Sequence, residues 1–547
     1  MGGHYLNSVF GEQKTMSIPI LKQIESILNR LIGTSNQADM NWKEYSKALL
    51  VTNFLFGILG MSILLLQDKL PLNPLKFLPM EPLQVFNTAA SFITNTNWQS
   101  YSGEMSLSNL SQMTMIAVSM MVGATSGLVV SLAFLRGLTH RPMGNFYQDF
   151  VRAIVYVMLP VSLLTSIFFV SQGVPQTLEQ QVVVNTVEGQ QQKIALGPVA
   201  SLLSIKQFGT NGGGFFNANS AHPFENPNGI TNFVEILLEL ALPMSLVYLA
   251  GLWLNDRKQG WLIWSSMFLL FTCLLGGLIY FEGESNPHLK KLNIDVATLT
   301  KGNLEGKETR FGLIETALFT NTTTATSTGA VNNMHDSLTP IGGAIPLLNM
   351  MLNIIFGGVG VGLMGYILYG IIAVFITGLM VGRTPEIFGK KIEKGEMILA
   401  SLAILLHPAL ILIPTAVSVC NDFGLSSLNN TGPHGLTEIL YAFTSAAANN
   451  GSAFAGLNAN TPWYNVSIGI VILLGRYVSI IMLLAIAGSL LKKPMLETSV
   501  GSLKTNTILF TSVWIGVILI VSALTFLPVL MLGPIAEALN LAEGKLY

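Results

Sequence analysis

Four segments of the chain share a pattern with a chemical use: NTAASFITNTNWQS (87–100), SIKQFGTNGGGFFN (204–217), TALFTNTTTATSTGAV (316–331) and YAFTSAAANNGSAFAG (441–456). Each joins a short apolar stretch to a cluster of Gly, Asn, Thr and Ser, with Phe92, Phe208, Phe319 and Phe443 as landmarks. About ten apolar residues are too few to cross a bilayer, which takes roughly 20. Such a stretch reads as a re-entrant helix followed by a loop at membrane depth. Non-helical backbone survives there only when it is buried in protein or lines a watery path. Small side chains leave main-chain carbonyls free to point inward, and a ring of carbonyls replaces the hydration shell of a large, weakly hydrated cation such as potassium. The C-terminal ends of the short helices would aim partial negative charge at the same place. One such cluster is an ordinary surface turn; four at matched places point to a common axis.

Other candidates are single residues. Arg476 lies near the middle of an apolar run, 466–491. An intramembrane arginine costs at least roughly 2.5–3.5 kcal/mol and marks a functional position by default. Below the loops its fixed charge would discourage a cation from leaking straight through; the plainer reading is a structural arginine paired with a carboxylate or carbonyl. Glu235 and Glu239 are four apart and share a helix face, which reads as packing against a polar partner before it reads as cation attraction. His335–Asp336 reads as a cap on the next element, and His288 and His407 are isolated. Lys390, Lys391 and Lys394 read as a cytoplasmic surface patch able to meet a partner or anionic lipid.

The elements that must position these residues are membrane helices. Among 547 residues, 50 % are hydrophobic and only 10 % charged, against about 25 % charged in soluble domains. This composition excludes a disordered chain and argues against a soluble enzyme. The 28 basic and 29 acidic residues nearly cancel, so net charge gives no nucleic-acid signal. Cys273 and Cys420 both sit in apolar runs, which offers neither a disulfide framework nor a zinc site. Nine spans are expected, at 48–66, 110–135, 150–170, 233–254, 261–281, 345–380, 397–419, 466–491 and 508–532. The run 345–380 is too long for one crossing, and its FGGVGVGLMG centre predicts a helix broken near 357–362, because each glycine disfavours helix by about 1 kcal/mol relative to alanine. Basic links at 136–141, 257–258, 383–394 and 492–504 face the cytoplasm by the positive-inside rule. The alternation gives a repeat of span, outer loop with a short helix, span. The expected division is repeat one 48–141, repeat two 142–258, repeat three 259–394, repeat four 395–493, and a C-terminal helix with tail 494–547.

These motifs reach a known family. MNWKEY (40–45), TNTNWQSYSGE (94–104), NTVEG (185–189), GTNGGGFFNANSAHPFENP (209–227), GKETRFG (306–312), MHDS (334–337), FGGVG (356–360), GRTPE (382–386) and GSAFAG (451–456) together resemble the potassium-binding A subunit (KdpA) family of the Kdp potassium-transporting P-type ATPase complex. The resemblance implies an all-α polytopic membrane protein of the potassium-transporter superfamily, with four membrane–pore–membrane repeats and one C-terminal helix. It implies a selectivity filter from the backbone of Asn95, Thr96, Asn97, Gly212, Ser327, Thr328, Gly329, Asn449 and Gly451, with Gln99 supporting the first loop and Arg476 in the cavity below. It makes Gly357, Gly358, Gly360 and Gly362 a gating loop that obstructs downward passage. It further implies that K+ is the transported ion and that ions pass sideways into a partner B subunit, a P-type ATPase, in a complex with C and small F subunits in the bacterial plasma (inner) membrane. Lipid, and no nucleic acid, completes the set of partners. Hydrolysis is expected in the partner and not in this chain, which carries neither DKTGT nor G-x-x-x-x-G-K-[ST].

Three departures qualify the likeness. Relatives begin with one more membrane helix, whereas segment 1–47 has no 20-residue apolar run and reads as a cytoplasmic or interfacial lead-in. Asn353–Ile355 stands where an acidic residue is common, and Thr328 where cysteine is frequent; a backbone-carbonyl role tolerates the second change. A free-standing transporter of the same superfamily and a purely structural scaffold are the alternative readings.

Overall fold

The structure, a computed structural model, describes residues 1–11, 18–34, 38–284, 302–496 and 504–545. His288 and residues 497–503 of the last basic link lie outside them. Among the described residues nine helices are long and apolar enough to cross a membrane: Trp42–Leu65, Ser111–Leu138, Phe146–Ser171, Gly229–Trp253, Arg257–Gly283, Val361–Val381, Lys394–Val419, Pro462–Leu491 and Ile508–Glu543. Each overlaps one expected run.

Local sequence fixes where the spans begin. Asn41 Oδ1 accepts from Lys43 N and Glu44 N, while Glu44 Oε2 accepts from Asn41 N at 2.9 Å. Asn228 caps the fourth span with a similar reciprocal pair, and the Thr461 and Thr507 hydroxyls cap the eighth and ninth by accepting from Tyr464 N and Phe510 N. Each such cap is worth about 1 kcal/mol. Between the spans of each pair lies a pore helix: Pro82–Ile93, Val199–Phe208, Gly312–Ala325 and Gly432–Ala447. Many of their buried hydroxyls bond back into the helix, as Thr324 Oγ1 donates to Thr320 O at 2.7 Å, whereas Thr323 Oγ1 and Thr444 Oγ1 find no partner among the described residues. The spans surround these short helices unequally. In the second span 89 % of the apolar window is buried inside the protein, against 17 % in the seventh and ninth, so the second is an inner helix and the other two lie at the periphery of this chain.

The run 345–380 divides as expected, but earlier. Pro340–Leu352 and Val361–Val381 are separate helices. The break opens at Asn353, whose φ of 49° ends the first helix; asparagine tolerates the left-handed region better than most residues. Gly357, Gly358 and Gly360 lie in the break, whereas Gly362 belongs to the first turn of the following helix, its Cα packed against Gly357.

Two antiparallel hairpins supplement the helices. Gln181–Asn185 pairs with Gln191–Ala195 around the NTVEG turn, and Glu386–Ile387 pairs with Lys390–Lys391. Among its described residues, the lead-in 1–47 holds two short helices ahead of the first span, which itself begins at Trp42. Gly2–Phe10 packs on the fourth span, where Trp253 Nε1 donates to Asn7 Oδ1 at 2.9 Å. Pro19–Ile32 is tied to the third span by Glu25, which pairs with Arg152 at 2.8 Å.

The basic links converge on one face. Lys390 is not a surface residue: at 1 % exposure its ammonium donates to Leu490 O at 2.7 Å and Lys493 O at 3.2 Å, closing the end of the eighth span. Lys391 and Lys394 remain exposed.

Candidate functional site

The four pore helices end in one register, at Ile93, Phe208, Ala325 and Ala447. Past each end the chain repeats one turn. Thr96 N donates to Ser91 O, Asn211 N to Lys206 O, Thr328 N to Thr323 O and Asn450 N to Ser445 O, all between 2.8 and 3.0 Å. One residue earlier, Asn95, Thr210, Ser327 and Asn449 take φ of 67°, 49°, 49° and 53°. One residue later, Asn97, Gly329 and Gly451 are again left-handed, at 60°, 87° and 101°. Successive carbonyls of an extended chain point to opposite sides. Left-handed residues at alternate positions rotate them back toward a common side, at a steric cost that glycine and asparagine bear most easily.

The loops close into a ring. A Cβ on Gly212 would stand 2.6 Å from Thr328 O. One on Gly329 would collide with Asn450 O, and one on Gly451 with Thr96 O. The first, third and fourth loops thus each press a carbonyl against the backbone of a neighbour. The first and second loops join through side chains: Asn211 Nδ2 donates to Asn95 Oδ1 at 2.5 Å and to Asn97 Oδ1 at 3.2 Å, and Asn95 Nδ2 donates to Thr210 O at 2.9 Å. Asn449 Nδ2 donates to Thr96 Oγ1 at 2.9 Å, and Asn450 Nδ2 to Thr323 O at 2.9 Å.

Above the ring a vestibule of about 870 Å³ is lined in part by Asn97, Gln99, Gly212, Gly329 and Gly451. Gln99 Oε1 accepts from Gly214 N at 2.9 Å, so it braces the second loop from the first. Below the ring, loop 353–360 is fastened to it. Ser327 Oγ donates to Asn353 Oδ1 at 2.8 Å, Gly357 N to Ala325 O at 3.1 Å and Val359 N to Thr210 Oγ1 at 3.1 Å. Ile355, Phe356 and Val359 are fully buried, so this loop is packed beneath the ring. To one side a cavity of about 90 Å³ is lined by Asn353, Asn449, His407 and Arg476, among others. Arg476 is 5 % exposed. Its Nη2 has no hydrogen-bond partner among the described residues, and no carboxylate there pairs with it. A Cβ on Gly127 would stand 2.6 Å from that nitrogen and 2.8 Å from Val359 O, so the guanidinium sits where the second span meets the loop.

The structure therefore gathers Asn95, Thr96, Asn97, Gly212, Ser327, Thr328, Gly329, Asn449 and Gly451 in one ring. Thr210, Asn211 and Asn450 belong to it equally and escaped the sequence reading. Aligning the segments on their final small-polar residues would have found them. The landmark phenylalanines misled, since Phe92, Phe208, Phe319 and Phe443 fall at different heights relative to the shared helix end.

The remaining candidates separate. Glu235 and Glu239 are both fully buried; Glu235 Oε2 accepts from Gln207 Nε2 at 2.5 Å and Ser220 Oγ at 2.6 Å. His335 and Asp336 diverge. His335 shares a 2.8 Å hydrogen bond with Tyr441, and burial, with the Lys307 charge, holds its pKa down at about 3. Asp336 joins His434, whose Nε2 is 3.1 Å from Asp336 Oδ1 and whose Nδ1 is 2.9 Å from Glu537 Oε1. Both ring nitrogens donate only in the imidazolium. Burial opposes that charge, but the hydrogen bonds and charges of Asp336 and Glu537 outweigh it and raise the pKa to about 10. The clamp ties the third outer loop, the fourth pore helix and the C-terminal helix together. Its stabilisation is full below the ordinary value of 6.5 and is lost as pH rises through about 10. The thermal midpoint of the purified protein should fall across that window, and His434→Gln should remove that part of the pH dependence.

Comparisons with known proteins identify the family. The KdpA family, described as the potassium-transporting ATPase A subunit, matches residues 1–539. Potassium-transporting ATPase potassium-binding subunits of Alicyclobacillus acidocaldarius and Geobacillus kaustophilus are 50 % and 49 % identical, each over 98 % of this chain and 96 % of the relative. The potassium transporter TrkH of Vibrio parahaemolyticus superposes with a TM-score of 0.54 at 13 % identity, over 83 % of this chain and 86 % of its own, which is a likeness of fold. With nine helices among the described residues long and apolar enough to cross a membrane, four pore loops meeting in one ring and a family match along nearly its whole length, the chain belongs to the potassium-transporting ATPase A subunit family.

Proposed function

We propose that this chain is the potassium-binding and translocating subunit of an ATP-driven potassium uptake complex of the bacterial inner membrane. The observation that carries the reading is the closure of four equivalent loops into one ring of main-chain carbonyls. In it the backbone of Asn95, Thr96, Asn97, Gly212, Ser327, Thr328, Gly329, Asn449 and Gly451 replaces the water around K+, with Thr210, Asn211 and Asn450 at the same levels. Neutral carbonyls bind a monovalent ion and still release it. Loop 353–360 blocks the straight route, and the cavity beside Arg476 offers a sideways one, toward a P-type ATPase B subunit. C and F subunits complete the assembly, and the partner hydrolyses ATP. The segment 1–47, the four repeats and the C-terminal helix are the units of this design.

The test is co-purification with a P-type ATPase, followed by ATP hydrolysis with and without K+. Potassium-stimulated hydrolysis is expected. A chain that conducts K+ in vesicles with no ATPase bound would establish the free-standing transporter instead.

The loop makes its own prediction. A Cβ on Gly357 would fall on the Cα of Gly362, at a φ of 64°. Gly357→Ala should displace the obstruction and let 86Rb+ leave loaded vesicles without ATP. Tight vesicles carrying this variant in normal amount would refute the gating role.

A further inference from the structure

The ring is not fourfold at the level where its neighbours are glycine. Three of the four equivalent residues, Asn97, Gly329 and Gly451, are left-handed, while Gly212 is not. The Gly212 carbonyl also accepts a hydrogen bond, from Asn219 Nδ2 at 2.7 Å. The second repeat also differs one layer behind. The pore-helix residues whose carbonyls receive the loop-closing bond are Ser91, Thr323 and Ser445 in three repeats, and Lys206 in the second. Two of the hydroxyls brace their loops directly: Trp98 N donates to Ser91 Oγ at 2.5 Å and Gly451 N to Ser445 Oγ at 2.9 Å. Lys206 reaches past its loop. Its fully buried ammonium donates to Asn219 Oδ1 at 2.8 Å, Ser220 Oγ at 3.0 Å and Glu225 Oε2 at 2.6 Å, so all three N–H bonds are used.

This arrangement decides which way the Asn219 amide faces. Its oxygen takes the lysine proton and Ser220 N, at 2.9 Å. A flipped amide would set two donors against an ammonium and an N–H, so the nitrogen must turn to the filter. Glu225, also fully buried, neutralises the lysine and holds Phe216 N at 2.9 Å with its other oxygen.

We propose that Lys206, Asn219 and Glu225 form a positioning relay that clamps the Gly212 carbonyl and so sets the ion selectivity of the ring. The relay rests on the filter reading above. The lysine orients the asparagine, the asparagine ties down one carbonyl of the ring, and the glutamate keeps an uncompensated positive charge away from the ion path. A buried charge stripped of its partner is strongly unfavourable, and here it would also repel the transported cation.

The test uses the complete complex and measures uptake of K+, Rb+ and Na+ under potassium limitation. Asn219→Gly removes the amide at a residue whose φ of 54° suits glycine. Lys206→Met removes what orients it. Both should lower the K+/Na+ selectivity ratio at least tenfold, with the maximal rate falling far less than the affinity. Glu225→Gln should raise the K+ KM by more than tenfold, and Lys206→Met combined with Glu225→Gln should recover most of that affinity while leaving selectivity low. A purely structural role would lower protein amount and rate together and leave the ratio unchanged. Should Lys206→Met fail to assemble, Asn219→Gly decides alone; wild-type selectivity in that variant overturns the relay. Gly451→Ala separates the two readings. If it destroys potassium affinity while Asn219→Gly changes nothing, the filter stands and the relay falls.

Discussion

Gly329→Ala and Gly451→Ala are each expected to abolish high-affinity potassium uptake, raising the KM by at least a hundredfold, in complexes that still assemble. Two costs coincide at these positions. A side chain at φ of 87° or 101° is strained, by about 1–3 kcal/mol for a sparsely populated backbone region. The new methyl would also occupy the carbonyl of Asn450 or of Thr96. The backbone cannot yield locally, because each carbonyl is pressed against the next loop and the adjacent turn is closed by its own hydrogen bond. Relief must come from rotating the carbonyls that the ion needs. Gly276→Ala in the fifth span serves as the control, since its Cβ would meet nothing within 4 Å. Normal uptake kinetics in both ring variants would rule out a filter built from these loops and leave the scaffold reading.

The second large effect is expected at Arg476. Removing its charge with Arg476→Met should let K+ pass the cavity without ATP, seen as at least a tenfold rise in passive 86Rb+ efflux from vesicles. It should also uncouple ATP hydrolysis from uptake. A unit charge acting through an effective dielectric of about 20 exerts about 2 kcal/mol over roughly 8 Å, which is enough to hold a cation back by more than tenfold. Arg476 is suited to this because no carboxylate among the described residues neutralises it. Arg476→Lys should retain the barrier, which separates charge from packing. Efflux at the wild-type level in Arg476→Met would overturn the electrostatic role.

Much of this architecture was open to a reader of the sequence, and the reasons differ by element. Spans were readable because a lipid-facing helix must be apolar over its whole length. The extent of 345–380 disclosed a break, but glycine content did not disclose where it starts. Asn353 ends the helix through a conformation that is shared by only some asparagines. The pore segments were recognisable by their length and by the small polar cluster at the end of each. Their mutual register was not, because phenylalanine attracts the eye while the positions that matter are defined by backbone angles. Thr210, Asn211 and Asn450 were passed over for that reason. Lys390 looked like one of a basic trio, yet the last turn of a neighbouring helix takes its donors. Nothing local in a sequence says which lysine of three will be buried.

Because all four quadrants of the ring come from one polypeptide, heredity treats them separately. A change in a homotetrameric pore alters every quadrant at once. Here a single codon touches a quarter of the circle, so intermediate phenotypes survive selection and the quadrants drift apart. A lysine in place of a hydroxyl at Lys206, on one side only, is the kind of specialisation that such a history permits.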